Sequence, residues 1–332
     1  MSRDSIGNIL RVSILLCLVC AIGVSVAAVG LKDRQEENKR LDQQKNIAMT
    51  ALFAEFNEQD DADLYGHFES GQVSLFELLK ARDEAPENLR PQIDAAVEDL
   101  VGAQAAKKLA SLKNEREIIQ ALFNPADGVI KKQFVDLETG DVVPVSQLPK
   151  GEGYDARAAA GDAKLQVKIP AERNIAGIGT RAPYYAVYRV EKDGELASLV
   201  LPIVGKGLWS TMYGFLALDP DLTTVRGINY YEHGETPGLG GEVDNPIWKR
   251  QWRGKVAFED GEPAIDVIKG SVNPSDPNAQ HKIDGLAGAT ITAVGVENTV
   301  NYWLGENGFG EYLKKQRDQR QAGRSRESRV GS

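Results

Sequence analysis

The longest apolar stretch of the chain comes first. From Val12 to Leu31 twenty residues pass without a charge, and at 1.5 Å of helical rise each they cover the ~30 Å of a bilayer's hydrocarbon. Beyond Lys32 the apolar positions are spaced rather than continuous. Residues 40–57 and 85–124 have helix-forming composition, and Ile93, Val97, Leu100 and Val101 recur at i, i+4, i+7 and i+8, which puts them on one buried helix face. Ala103 to Leu122 continues similarly and stops at Asn124-Pro125. From Phe134 the pattern changes to short apolar runs separated by turn residues. Tyr184–Val190 and Leu196–Ile203 flank Lys192-Asp193-Gly194, while Lys255–Glu259 and Ala264–Ile268 flank Asp260-Gly261, so two hairpins are expected. Thr223–Tyr231 reads as a further strand. Thr292–Leu304 reads as a helix, with Val296, Val300, Trp303 and Leu304 at helical spacing. The expected class is α+β: one N-terminal transmembrane helix, a helical insertion, then an antiparallel or mixed sheet with flanking helices.

Composition narrows this picture. The 332 residues correspond to about two domains at roughly 150 each. Ten of the 33 glycines lie in residues 1–160 and twenty-three in the rest, so the halves are built differently. A formal charge of −9 lacks the broad positive field that a phosphate backbone requires, which argues against nucleic acid. The two cysteines, Cys17 and Cys20, fall inside the apolar run and read as small apolar residues. No thiol remains downstream for a disulfide framework, a cysteine zinc site or a nucleophile.

The apolar run has two readings. Arg3 and Arg11 with Ser25-Val26-Ala27 resemble a cleaved signal, but the run exceeds the ~7 to 15 residues of a signal's apolar region. A retained anchor with a cytoplasmic N-terminus is the expectation, and either reading exports the remainder. Residues 314–332 carry seven basic and two acidic residues with no apolar period, and read as a disordered basic tail.

Two glycine-rich segments carry candidate chemistry. Glu232 to Gly241 follows a strand, and its glycines let backbone approach a flat or charged ligand. His233, Glu235, Glu242 and Asp244 suggest a metal site on paper, yet the three histidines His67, His233 and His281 show no i+4 repeat, and a solvated loop is expected. The second segment, Asp284 to Thr292, runs into the helix above, whose start offers unpaired N–H groups to a phosphate; the plain alternative is that Thr290 or Thr292 caps the helix. It is neither a P-loop nor a dinucleotide fingerprint.

Asp284 to Thr290 resembles the flavinylation motif D-x-x-(S/T)-G-A-T, whose last threonine carries FMN through a phosphoester. Gly205 to Phe215 and His233 to Gly240 resemble the two signature blocks of the C-type subunit of the sodium-translocating NADH:quinone reductase. Leu41-Asp42-Gln43-Gln44-Lys45-Asn46-Ile47 and Val135 to Gly140 resemble that protein too. Ala287 departs from the motif's Ser or Thr, and residues 55–125 and the basic tail look additional.

The resemblance implies a leader at 1–11, a transmembrane helix at 12–31, a helical segment at 32–130, an FMN-binding domain at 131–313 and a tail at 314–332. It implies covalent FMN on Thr290, with Asp284, Gly288, Ala289, Ile291 and Thr292 beside it. Glu235, Thr236, Gly238, Leu239 and Gly240 are expected at the isoalloxazine, with Lys206, Trp209 and Ser210 as further pocket residues. The implied function is electron transfer in a Na+-translocating NADH:quinone reductase, from the outer side of a bacterial cytoplasmic membrane. Its implied partners are the other subunits, the membrane and a flavin transferase. The alternatives are a G-type subunit of an Rnf ferredoxin:NAD reductase and an exported FMN-binding sensor.

Overall fold

The computed structural model describes residues 6–330 apart from 58, 60, 69 and 70. Arg3 with the start of the leader, and the tail's last two residues, lie outside the described residues. The chain divides into two compact units, Met1–Gln44 and Lys45–Ser332. In the first, helix α1 (Ile6–Ala51, which continues into the second unit) carries Val12 to Leu31 with its large apolar side chains exposed. It is the one helix among the described residues long and apolar enough to cross a membrane.

The second unit opens with a helical layer: β1 (Phe53–Glu55), α2 (Ala62–Phe68), β2 (Gln72–Ser74), α3 (Leu75–Glu84), α4 (Arg90–Val101), α5 (Ala103–Leu109) and α6 (Glu115–Leu122). The expected helix over 40–57 stops at Ala51, because Phe53–Glu55 pairs antiparallel with Gln72–Ser74 instead. Ile93, Val97, Leu100 and Val101 are all buried on α4, as their spacing requires.

The sheet follows: β3 (Ile130–Asp136), β4 (Val142–Val143), then after α7 (Ala156–Gly161) and the short pair β5 (Val167–Lys168) and β6 (Thr180–Arg181), the long strands β7 (Tyr184–Lys192), β8 (Glu195–Lys206), β9 (Thr211–Leu218) and β10 (Val225–Glu232). Six strands form one antiparallel sheet in the order β10-β9-β8-β7-β3-β4. Asp193 (φ 52) and Gly194 (φ 85) make the two-residue turn between β7 and β8, where both left-handed conformations favour a Gly-containing pair.

Both faces of this sheet are covered. Leu199, Leu201 and Ile203 of β8 pack to one side with Val296 and Val300, whereas Val200 joins Phe215, Ile93 and Leu78 on the other. Antiparallel sheets often leave one face to water and so alternate. Here the buried run Ser198 to Leu201 is nearly continuous, and alternation is lost from the sequence.

The remainder comprises α8 (Pro246–Arg250), β11 (Phe258–Glu259), β12 (Glu262–Pro263), β13 (Asp266–Val267), β14 (Lys282–Ile283), α9 (Thr290–Leu304) and α10 (Gly310–Val330). The second hairpin exists at Asp260-Gly261, but its arms shrink to two residues, since Asp266–Val267 pairs parallel with Lys282–Ile283. Helix α9 lies against β8 through glycine: a Cβ at Gly205 would overlap Thr299, and one at Gly295 would overlap the Lys206 carbonyl. Trp303 fixes the same contact by donating its ring N–H to the Val204 carbonyl at 2.7 Å.

From Lys314 to Val330 the chain is helical, not disordered. Buried Tyr312 and Leu313 seat the start of α10, and Arg317 stacks 4.6 Å from the Phe258 ring. Its Lys, Arg, Gln and Glu are good helix formers once that first turn is anchored.

Candidate functional site

Three segments converge at one end of the sheet: the turn between β8 and β9, the loop after β10, and the lead into α9. Their common point is the carboxylate of Glu235, which is only 5% exposed. Its Oε1 accepts the backbone N–H groups of Trp209 and Ser210, each at 3.0 Å, and the Ser210 hydroxyl at 3.1 Å. Oε2 accepts the Leu208 N–H at 3.1 Å and the Thr292 hydroxyl at 2.6 Å. Three successive N–H groups converging on one point form a hollow suited to an anion, and this chain fills it with its own side chain. Burial alone would raise the Glu235 carboxyl; the donors from Thr292, Trp209 and Ser210 outweigh it and hold the group below the usual glutamate range.

Glycines are required by this crowding. A Cβ on Gly207 would sit 2.5 Å from Glu235 Oε1, and one on Gly240 would sit 2.6 Å from the Thr292 hydroxyl. The loop is held at its start by Arg157, which forks onto Glu232 at 2.6 and 2.8 Å and lies 3.8 Å from the Tyr213 ring centre. His233 Nδ1 accepts the Glu235 N–H at 3.2 Å, so the ring proton sits on Nε2 and is given to Asp244 at 2.8 Å. No group of metal-binding side chains occurs among the described residues.

The third segment presents the candidate acceptor. Asp284 takes the Val272 N–H on its carboxylate and the Trp248 ring N–H on its carbonyl, while its own N–H goes to Gln251. It therefore anchors the loop. Gly285 is pressed against the Ile268 carbonyl with no room for a Cβ, and Gly288 adopts φ +70 beside Leu239. Ala289 occupies the cap position of α9 and offers no side-chain acceptor to the first turn. Neither threonine caps: Thr292 is turned inward to Glu235, and Thr290 is exposed.

Of the residues expected here, Glu235, Gly240, Ser210 and Thr292 form the buried knot, with Leu239 and Gly288 touching beside it. The Glu235 carboxylate is committed inward rather than to a ligand. Thr236 uses its carbonyl to close the loop onto Leu239 and Gly241. Gly238 takes φ +74 at the loop's exposed bend. Lys206 is exposed, its backbone packed beneath α9. Trp209, 67% exposed, and Ile291, 61% exposed, stand on the surface with Leu208 and Val294. Sequence reasoning misses Arg157 and Gly207. Arg157 lies 75 residues from Glu232 and carries no local signal, whereas Gly207 is visible only as part of a glycine-bearing block.

These parts suit FMN. An uncapped helix start offers N–H donors and a positive dipole end to a phosphate, and exposed aromatic and aliphatic side chains suit a flat ring.

The FMN-binding domain family model matches residues 207–305, which takes in all three converging segments. The C-type subunit of the Na(+)-translocating NADH-quinone reductase from Yersinia pestis is 39% identical over 319 residues, covering 96% of this chain and 95% of the relative. Its counterpart from Pseudomonas aeruginosa is 39% identical over 313 residues, covering 94% and 96%. The crystal structure of Shewanella oneidensis NqrC superposes with a TM-score of 0.55 at 36% identity, over 63% of this chain and 90% of that one. With this breadth of likeness, the chain belongs to the NqrC family, the C-type subunits of the Na(+)-translocating NADH-quinone reductase.

Proposed function

We propose that this chain carries FMN covalently on Thr290 and serves as an electron-transfer subunit of a Na+-translocating NADH:quinone reductase. The observation that carries the reading is the exposed Thr290 hydroxyl at a helix start without a side-chain cap, reached through Gly288 and Ala289. On attachment the hydroxyl loses its proton and its oxygen bonds the phosphorus of the flavin nucleotide. The donor is a flavin dinucleotide: its phosphoanhydride P–O bond breaks and the nucleoside monophosphate leaves with the electron pair, so the flavin keeps its own phosphate ester.

The first-turn N–H groups of α9 hold the phosphate oxygens and place them at the positive end of the helix. Leu239 and Trp209, both exposed, would border the ring and keep water from part of its face. Bound FMN supplies one-electron transfer; the residues position it and set its surroundings. No side chain is asked to act as acid, base or nucleophile in the electron transfer itself. The apolar stretch of α1 anchors the chain in the cytoplasmic membrane with the FMN-binding domain outside, and the other subunits of the complex exchange electrons with it. A flavin transferase performs the attachment.

Denaturing gels of the full chain produced with a flavin transferase test this reading. A fluorescent band is expected, lost in Thr290→Ala. A dark wild-type band would reject covalent FMN, and a fluorescent Thr290→Ala band would reject this acceptor.

A further inference from the structure

We infer that Glu235 is the positioning residue of the flavin site, assembling it in the chain before flavin is attached. The inference rests on the reading of Thr290 as the acceptor. Five donors from two separate segments end on two oxygens of one buried carboxylate carried by a third. Leu208, Trp209 and Ser210 sit 25 to 27 residues away in sequence, and Thr292 sits 57 away. The carboxylate thus joins the turn bearing Trp209 to the first turn of α9, two residues beyond Thr290. It also plugs the hollow formed by the three N–H groups. The open start of α9 is left as the anion position beside it. Gly207 and Gly240, which admit no Cβ against this group, show how closely backbone is packed around it.

Glu235 acts through other groups and has no free oxygen valence directed at a ligand, so its role is placement. Removing it takes the acceptor from three N–H groups and two hydroxyls, that of Thr292 buried. A glutamine keeps one carbonyl oxygen for Trp209 and Ser210 and can give its amide to the Thr292 oxygen, but leaves Leu208 unpaired.

Amide hydrogen exchange on the flavin-free full chain in detergent tests the first half. The N–H groups of Leu208, Trp209 and Ser210 are expected to be protected in wild type and to exchange at least about tenfold faster in Glu235→Ala. Glu235→Gln should release Leu208 alone. Equal exchange in wild type and both variants would overturn the inference.

The initial rate of FMN attachment by a flavin transferase tests the second half. It is expected to fall by about tenfold or more in Glu235→Ala and less in Glu235→Gln, with circular dichroism unchanged in the glutamine variant. Attachment at the wild-type rate in both variants would overturn positioning. Wild type that takes no covalent FMN would instead sink the acceptor reading. Positioning would then be judged by titrating FMN: weaker binding in the variants supports it, and equal binding overturns it.

Discussion

Two helix starts in this molecule are finished in opposite ways. At α3, Ser74 accepts the Glu77 N–H at 3.3 Å while the Glu77 carboxylate takes the Ser74 N–H at 2.7 Å, a reciprocal capping box. At α9, Ala289 occupies the cap position and supplies nothing, although threonines stand one and three residues on. Omitting a cap costs a helix about 1 kcal/mol. One start is closed in the service of folding. The other has no side-chain cap, as the proposed phosphate site requires, and its nearest hydroxyl of the right reach, Thr292, is bound to Glu235.

The contrast can be broken most decisively at its exposed hydroxyl. Thr290→Ala should abolish covalent FMN in a denaturing gel while leaving the unfolding midpoint of the flavin-free chain unchanged, because the side chain is solvent-facing. Next in size is Glu235→Ala, expected to cost roughly 2–4 kcal/mol in denaturant unfolding through the orphaned N–H groups. The pH dependence has a fixed sign. The folded carboxyl lies below its unfolded value of about 4.3, so its contribution is full above that pH and is lost as pH falls through the folded value. Glu235→Gln should flatten this acid limb. Ser74→Ala should cost about 1 kcal/mol with no change in flavin content, since it opens the start that has no flavin role. The smallest effect sharpens the comparison. Ala289→Ser should raise the stability of the flavin-free chain by roughly 0.5 kcal/mol and slow attachment, both from supplying the missing cap.

Local signals carry much of the architecture. Asp193-Gly194 marks its hairpin because only certain residues accept both left-handed conformations. The face of α4 and the buried face of α9 follow from spacing. What the sequence does not disclose depends on distant partners. The strand Phe53–Glu55 exists because residues 72–74 pair with it, and the helix at Lys314 exists because Tyr312, Leu313 and Arg317 find places on the domain. The doubled cover of the sheet removes the alternation that would have revealed which face meets which layer.

The candidate site divides the same way. The glycine blocks and the Gly288-Ala289-Thr290 sequence are contiguous and legible. The role of Glu235 is not, because an acidic residue in a loop reads as a ligand contact until its oxygens are found to be filled from two other segments. Asp284 hides its anchoring role for the same reason, its bonds running to Val272, Gln251 and Trp248.

The most direct measurement is peptide mass mapping of the chain isolated from membranes of its native host. One FMN phosphoester is expected on the peptide containing residues 284–292, assigned to Thr290 by fragmentation. An unmodified peptide, or the flavin on another side chain, would contradict it.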